Sequence, residues 1–208
     1  MPGMTELDED LPESADDSSF GSISDEAFNQ LLPSQARGNS GRHWTPVEVA
    51  RAAARFLVTR SGTRVLDLGC GLGKFCVIGA TATDGHFTGV EQRRHLVAIA
   101  RKMIRRREIA RVEVIHANIT DVTFGEYEAF YLFNPFEENV LPEMKLDSTV
   151  ELSPRLFEEY TEHVHAQLNL MPSGTRLATY WCRGGEIPEG YELQQSGFNG
   201  SLALWIKR

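Results

Sequence analysis

The segment Val65-Leu66-Asp67-Leu68-Gly69-Cys70-Gly71-Leu72-Gly73-Lys74-Phe75 is where this chain can bring its backbone against a ligand. Glycines after an apolar run permit a tight turn and a close approach, and the helix that follows offers unpaired N–H groups. The spacing is G-x-G-x-G with Asp67 two residues ahead, whereas dinucleotide sites use G-x-G-x-x-G, and the position one later here is Lys74. Glu91, 18 residues after Gly73, is placed to accept hydrogen bonds from ribose hydroxyls. Farther along, Phe133-Asn134-Pro135-Phe136 ends another apolar run, where Asn134 could orient a neutral amine through its carbonyl oxygen and Phe136 could stack on a cation. The same residues also read as an ordinary turn, a solvated strand-end Glu and a packing Phe.

These positions need elements to hold them. From residue 64, β-rich runs alternate with helical stretches, which predicts strands at 64–68, 86–90, 112–116, 128–133 and 175–182, and helices near 73–81, 92–108 and 154–170. Alternation implies parallel pairing with helices on both faces. The last two strands, 191–195 and 201–207, are joined by a link too short for a parallel crossover and must be antiparallel. The fold class is therefore α/β, an open Rossmann-like sheet of seven strands, mostly parallel, with an antiparallel C-terminal hairpin. Thr45-Pro46-Val47-Glu48 reads as a capping box opening an Ala-rich helix.

The chain has 208 residues, with 41% hydrophobic and 24% charged, which fits one globular domain. The N-terminus is acidic where a signal peptide is basic, and no run is long and apolar enough to span a bilayer, so no membrane partner and a cytoplasmic location are expected. Three cysteines, Cys70, Cys76 and Cys182, show no metal spacing, and His163 and His165 point to different helix faces, so no metal site is expected. Of the formal net charge of -8, residues 1–36 hold nine acids and no Lys or Arg, leaving 20 acids against 21 bases in residues 37–208. The expected division is an acidic, largely disordered tail at 1–36, with a short helix at 24–32 capped by Ser24, and a catalytic domain at 37–208.

On these motifs the chain resembles the class I S-adenosylmethionine-dependent methyltransferases over roughly residues 43–208. The resemblance implies S-adenosyl-L-methionine as cofactor, with Asp67, Gly69, Cys70, Gly71 and Gly73 in the first motif and Glu91 on the ribose. It puts Asn118 at the adenine amine in place of the usual Asp, with Asp121 as fallback, and Gln92 and Ile119 as flanking walls. The acceptor segment Asn134-Pro135-Phe136 is similar to that of the disruptor-of-telomeric-silencing type of lysine methyltransferases, which implies a catalytic role for these residues. His43-Trp44-Thr45-Pro46 resembles a segment that covers the cofactor, and Trp44 reads equally as a core residue.

Two charge clusters bear on the acceptor. Residues 93–111 carry Arg93, Arg94, Arg101, Lys102, Arg105, Arg106, Arg107 and Arg111, a stripe that reads as a solvated face or as a phosphate track for RNA. Residues 137–162 carry eight acids whose field favours a cationic acceptor. Methyl transfer to an amine nitrogen of a protein lysine or a small cationic molecule is the leading expectation. An RNA methyltransferase, a non-catalytic cofactor-binding module and, remotely, an NAD-dependent dehydrogenase are the alternatives.

Overall fold

A computed structural model describes residues 20, 22–38, 40–182 and 185–208. Seven strands form one sheet: β1 (Arg64–Leu68), β2 (His86–Glu91), β3 (Val112–His116), β4 (Ala129–Phe133), β5 (Arg176–Tyr180), β6 (Tyr191–Gly197) and β7 (Leu202–Lys207). Their order is β3-β2-β1-β4-β5-β7-β6, with the first five parallel and β7 antiparallel to both neighbours. This is the expected mixed sheet with its C-terminal hairpin. The order reverses at β1, which pairs with β2 through Leu66↔Thr88 and with β4 through Leu66↔Phe130. Loops leaving β1 and β4 must diverge there, and in open α/β sheets that divergence opens a crevice at the carboxyl edge.

Strand alternation divides the core into two layers. Val65, Ala129, Tyr131 and Ala178 face one side, together with α4 (Val47–Leu57), α5 (Lys74–Ala82) and α6 (Arg94–Arg106). Leu66, Leu68, Phe130, Leu132 and Leu177 face the other side, against α7 (Pro154–Leu170) and Phe124. Phe75 stacks on Tyr131 with ring centroids 3.8 Å apart, locking the helix after the glycines to a central strand.

Residues ahead of α4 are part of this packing. Ser24 caps α1 (Asp25–Gln30) by accepting from the Ala27 N–H at 3.2 Å, as its sequence predicts. Phe20, Ile23, Phe28, Leu31, Leu32 and Ala36 all enter the first core layer, and the short turns α2 (Ser34–Arg37) and α3 (Ser40–His43) lead into α4. Most of the acids assigned to the tail, from Glu6 to Asp17, lie outside the described residues.

The capping box is corrected. Pro46 occupies the cap position of α4 without a side-chain bond, and Thr45 is instead drawn inward, its hydroxyl 3.0 Å from the Tyr131 hydroxyl. Asp25 supplies the missing acceptor: its Oδ1 takes the Val47 N–H at 3.0 Å and the Lys74 ammonium at 2.5 Å. One carboxylate on α1 thus holds the starts of both α4 and α5. Lys74 is 3% exposed, with its ammonium 5.1 Å from the Phe28 ring centroid. Truncation of fully buried Phe28 in Phe28→Ala should lower the unfolding free energy by about 3–5 kcal/mol in urea denaturation. A loss below about 1 kcal/mol would show that α1 contributes nothing to the domain.

Candidate active site

At the reversal point an open cleft lies over the carboxyl ends of β1, β2 and β4. Nine of the residues singled out from sequence line it: Gly69, Gly71, Glu91, Gln92, Asn118, Ile119, Asn134, Pro135 and Phe136. Asp67, Cys70 and Gly73 do not, and Asp121 is exposed away from it. They lie beneath or behind the loop for a local reason. Asp67 points with the odd residues of β1 into the α5 layer, where the Cys76 thiol donates to its Oδ2 at 3.4 Å. Cys70 and Cys76 are buried, and burial pushes both thiols well up, so neither is a nucleophile at neutral pH.

The glycines are required by contact. A β-carbon on Gly71, at φ 54°, would stand 2.5 Å from the Trp44 ring, and one on Gly69, at φ 77°, would stand 2.9 Å from Pro135. Trp44 is both wall and core: it lines the cleft, is 5% exposed, and donates its indole N–H to the Ala36 carbonyl at 3.0 Å. The loop itself hangs from β2, with the Gly69 and Cys70 N–H groups donating to the Val90 carbonyl at 3.0 and 2.9 Å.

Glu91 holds the next link. Its Oε2 accepts from the Gly71 N–H at 3.1 Å and its Oε1 from the Arg93 N–H at 2.7 Å. A carboxylate has about four lone-pair sites, so about two remain for hydroxyls entering the cleft. Burial pushes its pKa up, opposed by the Arg93 N–H and charge and the Gly71 N–H. Asn118 is more committed: Oδ1 caps the Ile119–Asp121 turn through the Thr120 N–H at 3.1 Å, while Nδ2 donates to the Tyr160 hydroxyl at 2.9 Å. Its remaining amide hydrogen and the adjacent Ile119 are what it offers a planar ring.

On the β4 side, Asn134 sits at φ 41°, a left-handed conformation that Asn tolerates better than most residues. Its Nδ2 donates to Glu137 Oε2, which leaves the amide oxygen as the atom it offers an incoming donor. Phe136 is buried against Tyr160, with centroids 5.4 Å apart. His43 also lines the cleft, and burial lowers its pKa below the ordinary 6.5, leaving a neutral imidazole at pH 7.

The charge clusters reorganise. Arg93 is no part of a solvated stripe: it is 4% exposed, binds Glu138 through two nitrogens at 2.7 and 2.6 Å, and reaches Asp147 at 3.2 Å. Arg101 donates to the Val114 carbonyl and Arg111 to those of Ala80 and Thr83. Correspondingly, the acidic segment spends Glu138 and Asp147 on Arg93. His43 lies in the segment expected to cover the cofactor and Glu137 and Glu138 in the acidic stretch expected beside the acceptor, and all three line the cleft; sequence reasoning missed Tyr160, and placed Arg93 only in a charged stripe. Among the described residues no group of three or more His, Cys, Asp or Glu is placed to hold a metal, and no helix is long and apolar enough to cross a membrane.

Buried Asp67 carries a thermodynamic consequence. Desolvation raises its pKa to about 7 from 3.8, with Cys76 lowering it and Glu91 raising it further. The folded state keeps this proton where the unfolded chain has lost it, so stability falls as pH rises from about 4 to about 7. Asp67→Asn should flatten that slope, a gain of up to about 4 kcal/mol above pH 8 relative to the parent. Denaturation at pH 5 and 8 reads it, and identical slopes in both proteins would contradict a protonated Asp67.

Comparisons with known proteins place this geometry. Residues 59–136 match the family described as Methyltransferase domain. Demethylmenaquinone methyltransferase of Listeria welshimeri is 25% identical over 108 residues, 50% of this chain and 46% of that protein, so the match spans about half the relative's length. The crystal structure of TrmN from Thermus thermophilus superposes with a TM-score of 0.57 at 20% identity, covering 78% of this chain and 48% of that one. An RNA methyltransferase from Salinibacter ruber, solved with S-adenosyl-L-homocysteine, gives 0.54 at 16% identity, covering 78% and 91%. In its seven-stranded order the chain shares the fold of these methyltransferase structures, and its segment at 59–136, which contains the glycine loop under Trp44, matches the Methyltransferase domain family.

Proposed function

We propose that this protein transfers a methyl group from S-adenosylmethionine to an amine nitrogen. The observation that carries the reading is the pairing, across one cleft, of the Glu91 carboxylate with the Asn134 amide, whose nitrogen is tied to Glu137 and whose oxygen is left to accept.

The residues present fit this cofactor better than a dinucleotide. A pyrophosphate needs cations and free N–H donors, yet Lys74 is held by Asp25, Arg93 by Glu138 and Asp147, and the Gly71 N–H by Glu91. The Glu91 and Glu137 carboxylates line the cleft instead and suit a cationic ligand, while Glu138 there is paired with Arg93. S-adenosylmethionine, when bound, supplies an electrophilic methyl carbon on a positively charged sulfur. Glu91 would accept from its ribose hydroxyls, Gln92, Asn118 and Ile119 would flank its adenine, and Gly69 and Gly71 allow the backbone to approach.

Displacement at a methyl carbon depends mainly on alignment, so the chain's task is to fix the nucleophile. Asn134 Oδ1 would accept an N–H from a neutral amine and aim its lone pair inward. Phe136 and Pro135 exclude water from that edge, and Glu137 and His43 are the nearby groups able to take the proton released. A small cationic amine or a protein lysine satisfies this chemistry. The Arg-rich stretch at 93–111 offers less support for RNA, because Arg93, Arg101 and Arg111 are engaged by the chain's own carboxylates and carbonyls.

Labelled S-adenosylmethionine incubated with the protein, an amine panel and total RNA tests the reading: label in the amine or lysyl-protein fraction supports it, and label in RNA alone overturns it. Glu91→Gln should weaken S-adenosylhomocysteine binding by about 10- to 100-fold in calorimetry, a charged hydrogen bond's worth. Asn134→Ala should leave that affinity unchanged and cut kcat about 100-fold. Equal turnover in Asn134→Ala would remove the residue from the acceptor role.

A further inference from the structure

Where Asn118, Ile119 and Tyr160 line the cleft, the chain itself fixes the hydrogen-bond polarity of the wall. The backbone N–H of Thr120 can only donate, so the Asn118 atom 3.1 Å from it is the amide oxygen, and the orientation of that amide is set. The Thr120 hydroxyl donates to the same oxygen, also at 3.1 Å. A carbonyl oxygen has two lone pairs, and both are now occupied. Asn118 has nothing left with which to accept.

Its amide nitrogen is the opposite case. One hydrogen goes to the Tyr160 hydroxyl at 2.9 Å and the second remains to be given. Because an amide nitrogen does not accept, the Tyr160 oxygen is the acceptor in that bond, and the phenolic proton stays free to donate. Tyr160 is held in place from α7, 5% exposed and with its ring 5.4 Å from that of Phe136. These two side chains therefore offer the cleft donors and no acceptor.

An adenine brings two kinds of group to such an edge: ring nitrogens, which accept, and an exocyclic amine, which donates. An amine turned toward Asn118 would set donor against donor, and that mismatch is a standard means of discrimination. A ring nitrogen would take the hydrogen that Asn118 has left. We propose that Asn118 recognises the cofactor's adenine through a ring nitrogen, in place of the contact with the exocyclic amine that its position in the sequence suggests. This inference rests on the S-adenosylmethionine reading of the cleft and names what Asn118 selects in the base.

Calorimetric titration of the full chain with S-adenosylhomocysteine, with analogues in which CH replaces N1, N3 or N7, and with one that carries hydrogen in place of the amine tests it. In the parent, one of the three ring substitutions should weaken binding about 10-fold, one neutral hydrogen bond's worth. Asn118→Asp keeps an oxygen for the Thr120 N–H but brings accepting lone pairs to the edge. It should erase the ring-nitrogen penalty and make removal of the amine about 10-fold more costly than in the parent. A melting curve of the variant checks that this pattern is read on folded protein, and the parent series stands without it. No ring-nitrogen penalty in the parent overturns the proposal, as does a penalty that folded Asn118→Asp retains. If S-adenosylhomocysteine itself does not bind, the cofactor reading falls and takes this inference with it; if it binds and the ring nitrogens do not matter, only this inference falls.

Discussion

One buried carboxylate holds the cleft in shape. Glu91 ends β2 with 5% of its surface exposed, accepting at once from the Gly71 N–H of the glycine loop and from the Arg93 N–H that starts α6. Leaving a carboxylate in a site this dry costs several kcal/mol unless charged hydrogen bonds, worth about 1.5–3 kcal/mol each, offset it. Both come from backbone, so the group is fixed before any ligand arrives. A preset acceptor binds hydroxyls without paying to order itself.

From Glu91 the constraint spreads in two directions. Through Arg93, two positions on, it reaches Glu138 and Asp147, so the loop after β4 is tied to the carboxyl end of β2 by a buried charge network. Through Gly71 it reaches Trp44, whose indole is bonded to Ala36, and so the segment that begins near Asp25. Asp25 then links the starts of α4 and α5. The overall charge of -8 is a poor guide to partners for this reason: the charges nearest the cleft are largely spent on one another.

Local signals were legible in the sequence and long-range ones were not. Every strand was recognisable because alternation and β-branched runs are local, and the glycine loop was recognisable because only glycine tolerates those φ values and the close ring of Trp44. Asn134, Pro135 and Phe136 were placed by the same logic at a strand end. The capping box at Thr45 failed because its hydroxyl found Tyr131, 86 residues away, and because an acid 22 residues upstream took over the cap. Arg93 looked like one of many surface arginines until the fold put Glu138 against it. Asp67 and Cys70 belong to the motif by spacing but face the packing layer, since strand parity and the turn decide which side chains see the cleft.

A crystal structure with S-adenosylhomocysteine bound decides most directly whether the buried carboxylate at the end of β2 organises a nucleoside site. The predicted result is a ribose whose two hydroxyls donate to Glu91, with the adenine beside Ile119 and the sulfur turned toward Asn134. A ribose bound elsewhere, with Glu91 still engaged only by the Gly71 and Arg93 N–H groups, would contradict it.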